Sequence, residues 1–445
     1  MSGKALLLDL SPLRESPPFR SIVIARTIAV FGIGMLIVAV PVQIFALTGS
    51  TAHVGFASTV TGVATLVGLL TGGVLADRYD RRRLIVWTRT LCGLAFVGLA
   101  LNAASADPSV WAIYALGAVD GAIGAISITA LLAVTPALIP ENSFAAAGAI
   151  NALTVQLGMM AAPALGGVVI ATGGVTWNYW AAAAGTLLTV PLLATLPELR
   201  PDETDEESPW ASLTGGFRFA LSRNIVRSVL IVGTIALLGG GVGVLIPAFV
   251  EQRFDGDPRT AGLLYSATAV GAALGSVASG WISRVRRKGY VLVLALAASF
   301  LALAGVGLAP MVWVALVLLA VAGAFGAVQE IVAYTVIQTN TPDRLLGRAN
   351  SLWSAQNVFG LSVGSAVAGL IGTVFVASTA LIVYGVIMVS LSVLALISLA
   401  SLRDYVDHTV DHAVGNIVDH IVDGSSPGVT PEHSGTESLE REELR

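Results

Sequence analysis

From Ser21 to Leu47 the chain carries a single charged side chain, Arg26, in an otherwise almost wholly apolar stretch. A bilayer core is crossed by about 20 predominantly apolar residues in helical form. Such runs recur along the sequence. They are read near 21–47, 54–76, 84–104, 110–137, 145–171 and 176–197, and again near 225–250, 260–283, 289–309, 311–338, 350–373 and 378–402. Backbone polar groups in hydrocarbon must be satisfied within the fold, which a helix does by itself. The expected fold is therefore an all-α polytopic membrane protein with twelve transmembrane helices. Composition agrees: 12% of the residues are charged, against about 25% in a soluble domain.

The chain is also duplicated. At an offset of 207 residues, Arg20, Ser21, Ile24, Thr27, Ile28, Ala29, Gly32 and Gly34 fall on Arg227, Ser228, Ile231, Thr234, Ile235, Ala236, Gly239 and Gly241. The register continues through the second span, where Gly55, Thr61, Gly68 and Gly73 fall on Gly262, Thr268, Gly275 and Gly280. Apolar composition does not generate arginine, threonine and glycine in one unbroken register. Each copy holds six spans, so the two six-helix bundles share one topology and are related by an axis along the membrane normal.

Lysine and arginine fix the expected orientation. Of 24 such residues, Arg26 lies in a span and Arg253 and Arg259 follow the seventh. The others are assigned to the side that holds both termini, which is read as cytoplasmic. The expected organisation is a cytoplasmic segment over 1–20, a bundle over 21–198, a linker over 199–224, a second bundle over 225–402 and a polar, partly disordered tail over 403–445. The first span is expected to be retained, since it is too long for a cleaved leader. In the linker, Trp210, Leu213, Phe217 and Leu221 have the spacing of an amphipathic surface helix. In the tail, His408 and His412 are four apart, as are Asp407 and Asp411. Val406, Val410, Val414 and Ile417 instead mark an amphipathic helix with an acidic face, and no metal site is assigned.

Two motifs carry more specific content. Gly73-Val-Leu-Ala-Asp77-Arg78-Tyr79-Asp80-Arg81-Arg82-Arg83 follows the second span. It resembles the cytoplasmic signature G-x-L-A-D-R-x-G-R-[KR]-[KR] of the major facilitator superfamily, with Asp80 at the usual glycine. Gly73 allows close helix contact, Asp77 suits a helix N-terminus, and Arg78, Arg81 and Arg82 can reach carboxylates or lipid phosphates. The resemblance implies a cytoplasmic gate; the residues alone also read as a positive-inside anchor. The fifth span contains Gly158, Ala162, Pro163, Gly166 and Gly167. This is similar to the G-x-x-x-G-P-x-x-G-G signature found mainly in the superfamily's exporters. Small residues permit close helix packing; an ordinary Gly/Pro kink is the plainer reading.

Further stretches narrow the resemblance. Leu8-Asp-Leu-Ser11, Val38-Ala-Val-Pro-Val-Gln43, Thr129-Ala-Leu-Leu-Ala133, Thr172-Gly-Gly-Val-Thr-Trp-Asn-Tyr179 and Leu352-Trp-Ser-Ala-Gln-Asn-Val358 resemble the enterobactin (siderophore) exporter family. The resemblance implies proton-driven export of a siderophore or similar metabolite across the inner membrane, with no cofactor. Gln156 and Glu330 depart from the family's pattern, which keeps a drug or macrolide exporter open as the cargo alternative. A non-transporting scaffold or sensor is the alternative from another class.

Ionisable groups inside spans are costly and rarely idle. Asp120 lies in the fourth span and Glu330 in the tenth, at positions nearly equivalent under the repeat. Both are candidates for proton coupling; the plainer reading is a structural hydrogen bond between helices. Arg26 either snorkels to phosphate or meets an anionic cargo. Gln43, Asn151, Gln156, Gln329, Tyr334, Gln338, Trp353, Gln356 and Asn357 are further candidates for a cavity wall. No G-x-x-x-x-G-K-[ST] loop, metal cluster or nucleophile–base set is present in the sequence, so neither ATP-driven transport nor an enzyme is expected. The expected partners are a small-molecule cargo, protons and lipid, with no nucleic acid, and the chain is expected to be a monomer.

Overall fold

The computed structural model describes residues 9–198 and 223–405. The linker and tail helices expected from the sequence lie outside the described residues. Those described are almost entirely helical. They form α1 (Ser11–Glu15), α2 (Pro17–Thr48), α3 (Thr51–Arg78), α4 (Arg81–Ala104), α5 (Val110–Leu138) and α6 (Phe144–Ala194). After residue 223 come α7 (Asn224–Gly240), α8 (Ile246–Arg253), α9 (Pro258–Val277), α10 (Lys288–Val306), α11 (Val312–Thr339), α12 (Asp343–Val374), α13 (Ala377–Ser398) and α14 (Ala400–Arg403). Among the described residues, 11 helical runs are long and apolar enough to cross a membrane.

Several boundaries differ from expectation for local reasons. α2 begins at Pro17 rather than near residue 21, because Ser16 caps it. The Ser16 hydroxyl accepts from the Phe19 N–H at 3.2 Å and donates to the Leu138 carbonyl at 3.0 Å. Pro17 then occupies the first turn, where a missing N–H costs nothing. Phe19 is fully buried against Ile139, Ala147 and Ile150. α12 likewise starts at Asp343, immediately after Pro342, rather than near residue 350.

The run expected as two spans over 145–171 and 176–197 is two helical stretches that meet at a kink. Gly174 adopts φ 80 and ψ 173, a conformation that side chains with a Cβ rarely take. Beyond it, Asn178 donates through Nδ2 to the Gly166 carbonyl at 3.1 Å. In a straight helix those residues would stand roughly 18 Å apart, so the chain folds back on itself at Gly174.

The seventh expected span is also interrupted. Between α7 and α8, Gly241–Leu245 form a 3-10 turn within a glycine-rich run. Carbonyls around this opening are met from outside the helix. Tyr384 donates its hydroxyl to the Leu238 carbonyl, and Tyr265 donates to the Gly243 carbonyl at 2.7 Å. Such partners let a membrane helix change pitch without leaving polar groups bare.

The outer surface is apolar, as the interior is. Trp111, Leu188, Val277 and Trp313 face outward, as lipid contact requires. Helices pack through small residues instead. A Cβ on Gly68 would stand 2.1 Å from the Ala122 carbonyl oxygen, and one on Gly275 would stand 2.4 Å from that of Ala324. Gly68 and Gly275 are partners under the internal repeat. Helices α2–α6 pack on one another, α7–α14 do the same, and the two groups meet chiefly along α3 with α12 and α6 with α9.

Candidate functional site

The two meeting lines are built alike. Both lie toward the arginine-poor end of the helices, where α2 ends and α3 begins. On one, a Cβ added to Gly369 would stand 2.8 Å from the Thr51 carbonyl oxygen, 3.1 Å from the Gly55 Cα and 3.4 Å from the Ala52 Cα. On the other, a Cβ on Gly167 would stand 2.5 Å from the Pro258 carbonyl oxygen, 3.1 Å from the Gly262 Cα and 3.2 Å from the Arg259 Cα. Thr51, Ala52 and Gly55 correspond to Pro258, Arg259 and Gly262 under the 207-residue offset. Hydrogen bonds add to both seams. Thr51 donates to the Gly369 carbonyl at 2.9 Å and Thr59 to that of Ser362 at 3.0 Å. The Ala164 N–H donates to the Ser266 hydroxyl at 3.0 Å. Gln156 donates through Nε2 to the Ala269 carbonyl at 3.1 Å, which ties α6 to α9.

The fifth-span motif explains its side of this geometry. Gly158 lies against Val30, fully buried Ala162 against Gly34, and Gly166 against Met35 and Asn178. The adjoining face, about 100° round the helix, carries the Pro163 carbonyl and Gly167 to α9.

α11 changes its exposed face partway along its length. Toward the arginine-poor end the exposed side chains are Val317, Val321 and Phe325. Past Phe325 they are Glu330, Tyr334 and Gln338, a polar line at four-residue spacing. The step from Phe325 to Glu330 turns the helix about 140° beyond a full turn, so the two lines look in different directions. Gln329, beside Glu330 in sequence, is buried within the second group.

The first group holds a cluster of ionisable side chains on three helices. Arg26 of α2 and Asp120 of α5 are partly buried. Arg89 of α4 is 7% exposed, and its Nε has no hydrogen-bond partner. Arg89 interacts electrostatically with both Asp120 and Arg26. Cys92, one turn further along α4, is also buried, and its Sγ and the Asp120 Oδ1 both lie beside Gly124, 4.0 and 3.8 Å from where a Cβ would stand. No hydrogen bond or ion pair joins Asp120 to Glu330 among the described residues.

Arg89 corrects the sequence reading, which grouped it with the basic residues outside the membrane. It lies eight residues beyond Arg81, inside the stretch already read as the third span. That position was the available signal, and the adjoining Arg81–Arg83 run masked it.

Other candidate side chains are engaged within the fold. Gln43 is buried and accepts at Oε1 from the Tyr179 hydroxyl at 2.8 Å. Gln356 donates through Nε2 to the Leu230 carbonyl and to Thr234 Oγ1, both on α7. Asn357 donates to the Trp353 carbonyl one turn back at 2.9 Å, and Trp353 packs near Gly233 of α7. Asn151 is partly buried with Oδ1 unpartnered.

In the gate motif, Gly73 and Arg82 are partly buried, while Asp77 and Arg78 are exposed. Arg81 donates from Nε to the Ala76 carbonyl at 3.3 Å and from a terminal nitrogen to the Ala133 carbonyl at 3.0 Å. Asp80 caps α4, its carboxylate accepting from the Arg83 N–H at 2.8 Å. A carboxylate there serves the turn without the left-handed backbone that glycine would supply.

A bundle of membrane-crossing helices with matched seams and polar groups facing its interior is the architecture of a multi-pass secondary transporter. Solved structures share this fold. The nucleoside transporter NupG aligns with a TM-score of 0.69 at 14% identity, over 87% of this chain and 99% of its own. A bacterial homologue of the human lysosomal transporter Spinster, inward-facing and unoccupied, aligns at 0.64 and 16% identity, over 87% and 95%. A family model described as transmembrane secretion effector matches residues 8–427. The chain belongs to this family, within the major facilitator superfamily. The enterobactin exporter EntS of Escherichia coli strain K12 is 43% identical over 407 residues, covering 91% of this chain and 97% of that protein. The same protein from Escherichia coli O157:H7 strain EC4115 gives the same figures. These relatives are transporters rather than enzymes.

Proposed function

We propose that the chain exports a siderophore of the enterobactin type across the bacterial inner membrane, by alternating access coupled to protons. The observation that carries this is the 43% identity to an enterobactin exporter over 97% of that protein's length. Counting the run that reverses at Gly174 as two passes, the reading is twelve spans in two six-helix bundles over 21–198 and 225–402. The segments 1–20, 199–224 and 403–445 then lie on the cytoplasmic side with the arginine-rich helix ends. The seams at Gly55–Gly369 and Gly167–Gly262 close the outer face. Glu330, Tyr334 and Gln338 line a cargo space open to the cytoplasm, because a polar line facing hydrocarbon would be costly. Asp120 carries the coupled proton, with Glu330 accessory.

The test is deletion of the gene in its host, growth without iron, and measurement of siderophore in cells and medium. Accumulation inside with loss outside, restored by the wild-type gene, supports the reading. An unchanged distribution in a strain lacking other exporters overturns it and moves the assignment to drug-like cargo.

A further inference from the structure

We propose that the acidic tail after Tyr405 docks on the basic turn Arg284–Lys288 of the second helix group, where its first carboxylates replace two aspartates that this copy of the loop has lost.

The internal repeat shows the loss. At the offset of 207 residues, the stretch Asp77–Arg83 falls on Arg284–Tyr290. Arg284 stands for Asp77, Arg287 for Asp80 and Lys288 for Arg81. The first copy mixes two aspartates with four arginines. The second carries Arg284, Arg286, Arg287 and Lys288 and no carboxylate. The local structure differs too. α3 stays helical to Arg78, and the Asp80 side chain caps the next helix. Its counterpart α9 stops at Val277, and Ala278–Arg284 wind as a 3-10 turn. Arg287 then precedes α10 without a side-chain cap. Arg284, Arg286 and Arg287 are exposed, and Arg287 lies over the Tyr290 ring, 5.9 Å from its centroid. Cations this close in sequence repel one another, and an anion set among them relieves the repulsion.

The first group shows where such an anion comes from. There Glu198, on the chain leaving the sixth span, meets Arg83 at 3.9 Å. Under the repeat Glu198 falls on Tyr405 and Arg83 on Tyr290, so the second group has lost both members of this pair. It has kept the juxtaposition. A Cβ on Gly289 would stand against the Leu402 carbonyl, 3.1 Å from the Leu402 Cα. Leu402 is fully buried, and the Tyr405 hydroxyl accepts from Asn340 Nδ2 at 3.0 Å. The chain leaving the last span is thus seated directly beside the basic turn.

From that seat the tail carries the charge that the turn lacks. Residues 404–423 hold Asp404, Asp407, Asp411, Asp419 and Asp423, with neither lysine nor arginine. Asp407 is five residues past Leu402 and reaches up to about 17 Å from it. Arg287 is two residues before Gly289 and Arg284 is five, so Asp407 and Asp411 can meet both. A segment tethered this close acts at an effective concentration of about millimolar. That favours the chain's own tail over a free anion as the occupant.

The test uses the full chain in phosphatidylcholine nanodiscs, with spin labels on Ser283→Cys and Thr409→Cys; Cys92 is buried and stays unlabelled. A short, narrow distance population is expected at about 0.05 M salt. Most of it should be lost at about 1 M salt, where the screening length falls to about 3 Å. Arg284→Glu with Arg287→Glu should remove most of it at low salt, and adding Asp407→Arg with Asp411→Arg should restore it. Both arginines are exposed, so the reversals leave the helices intact. Restoration by the swap is specific to the tail, since a lipid headgroup cannot be re-paired in this way. A broad distribution in the wild type at low salt, a population indifferent to salt and charge reversal, or a swap that restores nothing overturns the proposal. Binding of phosphatidylglycerol at the turn with the tail undocked also overturns it and assigns the surface to the membrane.

Discussion

Gly167 and Gly262 meet backbone to backbone, so close that a Cβ on either would stand 3.0–3.1 Å from the other's Cα. Gly55 and Gly369 repeat the contact on the other seam at 3.1–3.2 Å. Neither seam has room for a side chain. Gly167→Leu should therefore push α6 from α9 at a cost of about 1–3 kcal/mol. That energy corresponds to roughly a 5–150-fold shift in a two-state equilibrium. The expected outcome is a population opened at the arginine-poor end and slower transport, with the helices intact. Distances between spin labels at the ends of α6 and α9 would measure it; an unchanged distribution would refute the seam's role.

Asp120→Asn keeps the size of the side chain but cannot take up and release a proton. Proton-driven efflux in proteoliposomes should fall to background, while cargo counterflow without a gradient persists. Full gradient-driven efflux in this variant would remove Asp120 from the coupling step.

Tyr179 and Gln43 are both buried and bonded to each other at 2.8 Å. Tyr179→Phe leaves the Gln43 oxygen without its donor, which costs about 1–3 kcal/mol. Thermal unfolding in detergent should show this loss. The double variant Tyr179→Phe, Gln43→Leu should recover part of it, since the residues act as a pair.

Asp80→Ala removes the cap of α4 and should cost about 0.5–2 kcal/mol, whereas Asp80→Asn should be nearly neutral. Hydrogen exchange at the Arg81–Arg83 amides would report the difference. Equal exchange in the two variants would mean that the cap contributes nothing.

The helices were readable because lipid imposes length and composition on each of them, and the seams were half readable. The 207-residue repeat pairs Gly55 with Gly262 in the sequence itself. Their partners Gly369 and Gly167 are 202 apart, so a single offset does not reveal them. Asp120 and Glu330 stand out as isolated charges in apolar runs. Arg89 does not, because three arginines shortly before it draw it into their group. Gln43 and Gln356 read like cavity residues from polarity alone. Polarity does not say whether a partner such as Tyr179 or Thr234 waits across the helix contact, and that is a property of packing. Hydropathy does not show the starts of α2 and α12, because it marks where hydrocarbon begins, whereas capping by Ser16 and the break at Pro342 mark where helices begin.

The 3-10 turn between α7 and α8 has a mechanical consequence. Residues there advance by about 120° each instead of about 100°, so five of them leave the far segment roughly 100° out of phase with the near one. The faces of α7 and α8 are therefore aimed independently within one span. The Tyr384 hydroxyl holds the Leu238 carbonyl before the turn, the Tyr265 hydroxyl holds the Gly243 carbonyl within it, and Gln252 anchors the far end by accepting from the Ala377 N–H at 2.8 Å. One span thus presents two differently directed surfaces to its neighbours, each held by its own hydrogen bond.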